Sequence, residues 1–220
     1  MSRRTTGTRI CLPDQIEDEV GLCLEHAFYL YGLLGLDMRV ELSLRPDNKL
    51  GSDADWDAAE GALRNALVHR GIEFEEMPGE GAFYGPKIDI HMQDSLGRGW
   101  QLGTVQLDFQ MPQRFDLTYQ TAENEQKTPA MIHRALFGSL ERFIGILIEH
   151  YGGEFPFWLS PVQVRVLPVG ADHRGAAREL GAKLGEAGYR VEVDDRDDTV
   201  GKRIRDAELE KIPVHDRLWR

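Results

Sequence analysis

Two neighbouring segments of alternating polar and apolar residues restrict the possible folds of this chain more than any other feature. They are residues 87–92 and 100–109, and their period of two is typical of β-strands. Residues 95–98, Ser-Leu-Gly-Arg, have the composition of a hairpin turn. Further strands are predicted at residues 116–121 and 129–136. Because consecutive strands are joined by short turns, the sequence predicts an antiparallel sheet with helices packed on one side.

Helical periodicity occurs before and after these strands. Apolar residues recur every three or four positions in residues 13–34 and 53–70, and a half-buried strand is predicted between them at residues 38–45. A third helix is predicted to begin at Ser139 and to end at Gly152, because glycine is common just after a helix. The first part of the chain is therefore expected to have an α+β fold.

The pattern changes at residues 155–161, whose two prolines fit neither a helix nor a strand and predict an interdomain linker. The chain then continues with a predicted strand, helix, strand and helix, at residues 162–169, 173–187, 189–194 and 199–209. This order is typical of a parallel α/β unit. We therefore predict two domains, residues 1–157 and residues 158–220.

Composition limits the classes of function. Hydrophobic residues (41%) and charged residues (29%) are present in the proportions of a soluble globular protein, without the run of about 18 apolar residues that a membrane span needs. The net charge of −11 argues against broad, non-specific binding of nucleic acids. The two cysteines, Cys11 and Cys23, suit a reducing compartment, and the cytoplasm is the expected location.

The loop at residues 79–87 is the first candidate for a ligand site. It contains three glycines and a proline, and glycine lets the backbone approach a ligand closely. Tyr84 and Lys87 supply a hydroxyl group and a cation where the next strand begins. A structural loop with an exposed lysine is the alternative interpretation.

The strand that follows provides the second candidate. Thr104, Gln106 and Asp108 share one face, which suits a small polar ligand and equally suits a face in contact with water. Gln101 is out of phase with Thr104. Either Gly103 lies in a β-bulge or Gln101 has another role.

The third candidate is the start of the helix at residues 138–148, where Arg142 follows Ser139. Unpaired N–H groups at a helix N-terminus attract anions, and an arginine there makes a phosphate site physically reasonable. A surface arginine beside a buried helix explains this segment equally well.

Together these segments resemble a known family. Residues 79–89, 100–109, 132–150 and 155–167, with residues 42–53, closely resemble threonyl-tRNA synthetases, which are class II aminoacyl-tRNA synthetases. The resemblance extends from about Cys11 to Pro213, in order and with compatible spacing, and leaves residues 1–9 and 214–220 unmatched. It implies a portion of the class II catalytic domain, an antiparallel sheet flanked by helices, followed by a partial α/β anticodon-binding domain. The chain would then be truncated at both ends.

The resemblance also implies a reaction and a set of residues. Members of the family activate threonine with ATP, as its Mg²⁺ complex, and then transfer it to the 3′ end of its tRNA during protein synthesis. Arg142 matches the arginine that contacts the ATP phosphates and stabilises charge in the transition state. Ser139 and Gln101 match residues that hold the nucleotide or substrate. The residues that match the threonine and adenylate pocket are Tyr84, Lys87, Thr104 and Gln106.

A zinc ion belongs to the family's pocket, and His133 matches one of its ligands. A catalytic zinc site needs three protein ligands, with one position open to substrate. Thr8 stands where the resemblance places the second histidine, and the cysteine ligand would precede the present chain. Cys11 and Cys23 match neither position, so the zinc site is expected to be incomplete.

Two further departures affect the implied activity. The family's first two motifs, including an arginine that binds the α-phosphate, would precede Met1, so little activity is expected from this chain. In the second domain, Arg205 matches a residue that contacts the anticodon of threonine tRNA. Asp197 occupies a position that is usually asparagine, and a carboxylate cannot donate a hydrogen bond to a base as an amide can. The family is homodimeric, but its dimer surface is built largely by the first motif, so the oligomeric state here stays open.

Two alternatives to an impaired synthetase remain. The chain is a non-catalytic module that binds ATP or tRNA, or it is a decayed gene product without function. A basic set formed by Arg196, Lys202, Arg203 and Arg205 could contact a phosphate backbone. With a net charge of −11, a helix face in contact with water is the favoured interpretation of that set.

Overall fold

A computed structural model describes residues 4–218, with the side chains of residues 6–214. The chain divides into two compact units, Met1–Gly145 and Ile146–Arg220.

The first unit contains eight strands, three α-helices and the first half of a fourth. In chain order the strands are β1 (Arg4–Cys11), β2 (Met38–Ser43), β3 (Glu75–Met77), β4 (Lys87–Gln93), β5 (Gly99–Asp108), β6 (Tyr119–Gln120), β7 (Gln126–Lys127) and β8 (Ala130–Ser139). The helices are α1 (Ile16–Leu33), α2 (Asp53–His69), α3 (Gln110–Arg114) and α4 (Leu140–Tyr151), and α4 continues into the second unit. The helices and long strands predicted from periodicity are confirmed.

Six of these strands form one sheet in the order β1-β8-β5-β4-β2-β3. Neighbouring strands are antiparallel except for β2 and β3, which are parallel. The predicted hairpin is confirmed, because β4 and β5 pair directly across a turn in which Gly97 has a φ of 76°. The sheet is therefore mixed but mostly antiparallel. The short turns between consecutive strands predicted the antiparallel pairs but not the parallel pairing of β2 with β3.

Two sequence predictions in this unit need correction. The predicted strand at residues 116–121 is reduced to β6, which pairs with β7 outside the main sheet. The first residue of the predicted strand, Asp116, has a φ of 50°, a left-handed conformation that cannot begin an extended strand. The edge strand β1 was not predicted at all, because its sequence, RTTGTRIC, has too few apolar residues to show an alternating pattern.

One face of the sheet is apolar and the other is polar. The apolar face carries buried side chains from four central strands: Val40, Leu42, Ile88, Ile90, Val105, Leu107 and Ile132. Helix α1 packs against β5 and β8, and α2 packs against α1. The fully buried Tyr31 of α1 donates a hydrogen bond to the carbonyl oxygen of Leu136. This packing leaves the opposite, polar face to carry the candidate site.

The second unit is a small parallel α/β domain. Its elements are β9 (Val164–Pro168), α5 (Arg174–Glu186), β10 (Val191–Val193), α6 (Val200–Leu209) and β11 (Val214–Leu218). The strands form a parallel sheet in the order β10-β9-β11. The predicted strand–helix–strand–helix order is confirmed, but the expectation of only two strands is wrong. The third strand, β11, is held by its parallel pairing with β9, which lies about 50 positions earlier in the chain, so no local pattern indicated it.

Residues 155–161 contain neither helix nor strand, as predicted for a linker. Within the described residues, every helix is too short or too polar to cross a lipid bilayer.

The two cysteines are free and buried in the first unit. Burial, helped by the nearby Glu19 carboxylate, raises the pKa of the Cys11 thiol to about 11, and burial also raises the pKa of Cys23. In the unfolded chain the Cys11 thiol ionises near its ordinary value of 9.0. Between these values the folded state keeps a proton that the unfolded state has lost, so stability declines as the pH rises.

We therefore expect the free energy of unfolding to fall by up to about 2 kcal/mol between pH 8 and pH 11 through Cys11 alone. Urea unfolding at the two pH values measures this change. The Cys11→Ala variant should show a shallower decline. An identical decline in that variant and the unmodified chain would contradict the assignment to Cys11.

Candidate active site

The register of the sheet places a row of polar side chains across five strands. Directly paired residues of antiparallel strands share a face, and here the pairs continue from one strand to the next. From β1 to β2 the row consists of Thr8, His133, Gln106, Lys87 and Ser43. Thr104 and Asp89 pair with each other in the adjacent row, on the same face. The structure thus brings together residues that are up to 125 positions apart in the sequence.

Asp89 is the centre of this face, with only 2% of its surface exposed. One carboxylate oxygen, Oδ2, accepts hydrogen bonds from Ser43 Oγ at 3.0 Å and from the Lys87 ammonium group. The other, Oδ1, accepts from Thr104 Oγ1 at 2.9 Å and from Gln101 Nε2. We call these five residues, Ser43, Lys87, Asp89, Gln101 and Thr104, the Asp89 cluster.

Three members of this cluster, Lys87, Gln101 and Thr104, were predicted from the sequence, but Asp89 was not. A signal was present, because Asp89 is two positions from Lys87 in a predicted strand and must share its face. Ser43 lies in β2, the strand predicted between the first two helices. Nothing in the sequence around it indicated a place beside Asp89. Only the register between β2 and β4 places it beside Asp89.

The position of Gln101 depends on a β-bulge. Ile90 pairs with Gly103 and His91 pairs with Gln101, so Leu102 is an extra residue in β5. The bulge brings Gln101 Nε2 to 3.1 Å from Thr104 Oγ1. The β-bulge that the sequence allowed at Gly103 is present, with the neighbouring Leu102 as its extra residue.

The loop before β4 is fastened to β5 by Tyr84 and Gly85. The Tyr84 hydroxyl donates to Gln106 Oε1 at 2.9 Å, and Gln106 Nε2 donates to the Gly85 carbonyl oxygen at 3.4 Å. The Leu107 N–H donates to the Pro86 carbonyl oxygen at 3.2 Å. Tyr84 and Gln106 therefore lie together at one side of the Asp89 cluster, joined to it through the row that contains Lys87.

His133 lies between two polar side chains. Its Nδ1 is 3.1 Å from Thr8 Oγ1, and its Nε2 is 2.9 Å from Asp108 Oδ2. Asp108 is fully buried, and its Oδ1 accepts hydrogen bonds from the N–H groups of Gln110 and Met111. Both ring nitrogens of His133 are therefore engaged by side chains.

This arrangement does not fit the zinc ion that the resemblance implied. A catalytic zinc needs three protein ligands, and among the described side chains, residues 6–214, no group of three from His, Cys, Asp or Glu is placed to hold a metal. Thr8, at the position that the resemblance assigns to a second histidine, offers only a hydroxyl group. It does lie directly opposite His133 in the β1–β8 pairing, which agrees with that alignment of positions.

Ser139 and Arg142 lie where β8 ends and α4 begins. The Ser139 hydroxyl accepts a hydrogen bond from the Arg142 N–H at 3.4 Å, as a helix-capping residue does, and it donates to Glu141 Oε2 at 2.8 Å. The exposed guanidinium group of Arg142 lies over the ring of Trp100, 5.0 Å from its centroid. Trp100 precedes Gln101 in β5, so this contact connects the guanidinium group of Arg142 to the sheet.

The two candidate residues of the second unit are both exposed. Asp197 forms an ion pair with Arg174 at 3.6 Å, and Arg205 lies on α6. The other members of the proposed basic set have partners within the unit. Arg196 pairs with Asp194 and Asp206, Lys202 pairs with Asp198, and the buried Arg203 donates to two backbone carbonyl groups. In the described part of the chain, no ion pair involves Arg205.

Two known domain families match successive parts of this chain. Residues 4–151 match the tRNA synthetase class II core domain family (G, H, P, S and T). The chain belongs to this family. The match includes residues 4–9, and residues 163–215 match the anticodon binding domain family. The class II core is thus followed by an anticodon-binding α/β domain.

The similar proteins are threonyl-tRNA synthetases. The chain is 54% identical to the threonine–tRNA ligase of Finegoldia magna and 53% identical to that of Carboxydothermus hydrogenoformans, over 202 residues in each case. It is also similar to the crystal structure of the RNA binding domain of threonyl-tRNA synthetase from Cryptosporidium parvum, with a TM-score of 0.93 and 40% identity over 99% of this chain and 55% of that one. The alignments with the two bacterial ligases cover 92% of this chain but only 32% of their lengths. The chain is thus a relative of threonine–tRNA ligases that spans about a third of their length.

Proposed function

We propose that this chain supplies part of the threonine- and ATP-binding surface of a threonyl-tRNA synthetase. The observation that carries the proposal is the convergence of the Asp89 cluster with Tyr84 and Gln106 on one sheet face. Six predicted site residues, counting His133, lie on or beside that face. A surface of amide and hydroxyl groups around one ion pair suits a small zwitterionic substrate, because it offers both donors and acceptors.

Each residue has a specific part in the proposed reaction. The pocket for threonine and its adenylate is formed by Tyr84, Lys87, Thr104 and Gln106, and Gln101 and Ser139 help to hold the nucleotide. Arg142 contacts the phosphates of ATP. It stabilises the negative charge that develops on the phosphate oxygens as the threonine carboxylate attacks the α-phosphorus and pyrophosphate leaves. ATP enters as its Mg²⁺ complex, so that metal ion is part of the substrate.

We expect adenylation by the 220-residue chain to be strongly impaired. The resemblance places the arginine that binds the α-phosphate outside the third of the family's length that this chain spans. Residues that act together on one transition state lose most of their effect when one of them is missing. A threonine-dependent ATP–pyrophosphate exchange assay should therefore give a rate at least about a hundredfold below that of a full-length relative. Exchange at a comparable rate would contradict this expectation.

Binding can be measured independently of catalysis. We expect a non-hydrolysable threonyl-adenylate analogue, titrated calorimetrically, to bind the chain and to bind the Gln106→Ala variant about tenfold more weakly. Gln120→Ala is a matched control, because Gln120 is exposed in β6 and hydrogen-bonds Asn124. No binding to the unmodified chain, or equal loss in both variants, would contradict the proposed pocket.

A second candidate function is binding of threonine tRNA by the second unit. It is favoured by the anticodon-domain match over residues 163–215 and by the RNA-binding description of the similar Cryptosporidium domain. Arg205 is the basic residue on α6 that is free to contact RNA, and Asp197 adds a negative charge nearby in sequence. We therefore expect weak, salt-sensitive binding in a filter assay.

Substitution of Arg205 tests whether the second unit binds tRNA. Arg205→Ala should weaken tRNA binding at low salt, whereas Lys183→Ala should not, because Lys183 already pairs with Glu179 on α5. If neither the unmodified chain nor the control retains tRNA at low salt, the second unit does not bind tRNA within this chain, and the second candidate function is contradicted. That result would leave the proposal for the first unit unaffected.

The proposal includes a domain boundary between residues 157 and 158 and a cytoplasmic location. The first family match ends at residue 151 and the second begins at residue 163, which supports a boundary in the segment between them. The division into compact units falls earlier, within α4, between residues 145 and 146. Free, buried cysteines are compatible with a reducing compartment.

A further inference from the structure

The guanidinium group of Arg142 is held in an unusual way for this chain. The chain has 37 acidic and 26 basic residues. Of the 16 arginines whose side chains the structure describes, ten pair with a carboxylate. In the described part of the chain, no carboxylate forms an ion pair with Arg142. Its observed partner is the ring of Trp100, 5.0 Å from the guanidinium carbon. Stacking on an aromatic face leaves the N–H groups at the edge of the guanidinium plane free for an anion.

Trp100 is itself fixed by a buried carboxylate. The indole Nε1 donates a hydrogen bond to Asp94 Oδ2 at 2.8 Å, and the Asp94 side chain has no exposed surface. Asp94 Oδ1 accepts from the N–H groups of Leu96 and Arg98, both at 2.9 Å, and Oδ2 also accepts from Arg98 Nε at 2.6 Å. These hydrogen bonds tie the indole ring to the turn of the β4–β5 hairpin.

The charge state of Asp94 agrees with this anchoring role. Burial by itself would raise its pKa, but the hydrogen bonds from Trp100 and Arg98 outweigh burial and lower the pKa of Asp94 well below its ordinary value. Asp94 therefore remains an ionised acceptor for the indole N–H at neutral pH.

We infer that Trp100, anchored by Asp94, is a positioning residue for Arg142. The ring holds the guanidinium plane in one orientation before ATP arrives, so that fewer rotamers are lost when the phosphates bind. This inference rests on the proposed contact between Arg142 and the ATP phosphates. Trp100 and Asp94 belong to the β4–β5 hairpin, which is remote in sequence from α4. They affect the nucleotide only through their effect on Arg142.

The stacked geometry can be observed without any ligand. In ¹⁵N-labelled protein, the Nε–Hε resonance of Arg142, assigned with an Arg142→Lys variant, should show an upfield ring-current shift. We expect Trp100→Leu to abolish this shift and Trp100→Phe to retain most of it. Trp158→Leu is the matched control, because Trp158 is exposed in the linker. Absence of the shift in the unmodified chain would overturn the inference.

Calorimetric titration with ATP tests whether Trp100 affects nucleotide binding through Arg142. Trp100→Leu should weaken ATP binding about two- to fivefold, and Trp100→Phe should restore it to within about twofold of the unmodified chain. In an Arg142→Ala background, Trp100→Leu should cause no further loss, because Trp100 acts through that arginine. An equal loss in both backgrounds would overturn the positioning role.

The two proposals fail differently. If the unmodified chain shows the ring-current shift but does not bind ATP, the proposed function is contradicted, and with it the nucleotide role of Trp100, while the stacked geometry is supported. If ATP binds and the Trp100→Phe variant folds but loses as much affinity as Trp100→Leu, the proposed function stands and the positioning inference is overturned.

Discussion

Replacing Gly85 with alanine is expected to lower the free energy of unfolding of the first unit by about 3 kcal/mol or more. A Cβ atom at this position would lie 1.8 Å from the carbonyl oxygen of Leu107 and 3.0 Å from its carbonyl carbon. Both are backbone atoms of β5, and the Leu107 N–H is already bonded to Pro86. The clash therefore cannot be relieved by rotating a side chain, and the loop must leave the strand.

Urea unfolding followed by circular dichroism measures this effect, with Gly99→Ala as the control. Gly99 begins β5, and a Cβ atom added there would meet no described atom within 4 Å, so this variant should change stability by less than about 0.5 kcal/mol. Because the loop carries Tyr84, the Gly85→Ala variant should also lose binding of the adenylate analogue. Equal unfolding midpoints for the two alanine variants would show that the loop is not fastened to β5 as described.

The sequence predicted the elements of the central sheet because their signals are local. The alternation in β4 and β5 and the turn between them are contained within about 20 residues, and the structure reproduces them closely. The edge strand β1 lacked that signal. An edge strand has a partner on one side only, and its alternation can be absent when polar residues occupy both faces.

The candidate site was only partly predictable for a different reason. Lys87, Thr104 and Gln106 were recognised from strand faces and family resemblance, but Asp89 becomes the centre only through the pairing of β2, β4 and β5. The contact between Trp100 and Arg142 likewise joins residues 42 positions apart, which no periodicity can reveal. Cross-strand register and ring packing are properties of the tertiary fold, and a single sequence does not display them.

Replacing Asp89 with alanine is the second change with a large expected effect, about 3–5 kcal/mol in the free energy of unfolding. The substitution leaves Lys87 without its carboxylate partner and removes the acceptor for the Ser43, Gln101 and Thr104 donors. The buried Ser43 hydroxyl, which loses its acceptor without gaining water, carries the full desolvation penalty, and the half-buried Lys87 ammonium group loses its only carboxylate partner in the described structure. Binding of the adenylate analogue should be lost as well, because the side chains that Asp89 orients are those of the proposed pocket.

A second variant separates loss of the ion pair from loss of volume. Lys87→Met combined with Asp89→Leu removes both charged groups and fills the space, so it should unfold at a higher urea concentration than Asp89→Ala, although it too should not bind the analogue. Asp47→Ala, at an exposed loop residue, is the control and should change stability by less than about 0.5 kcal/mol. If Asp89→Ala proved as stable as this control, the polar face would be hydrated and loosely ordered. The Asp89 cluster could then not serve as the preorganised part of a threonine-activating pocket.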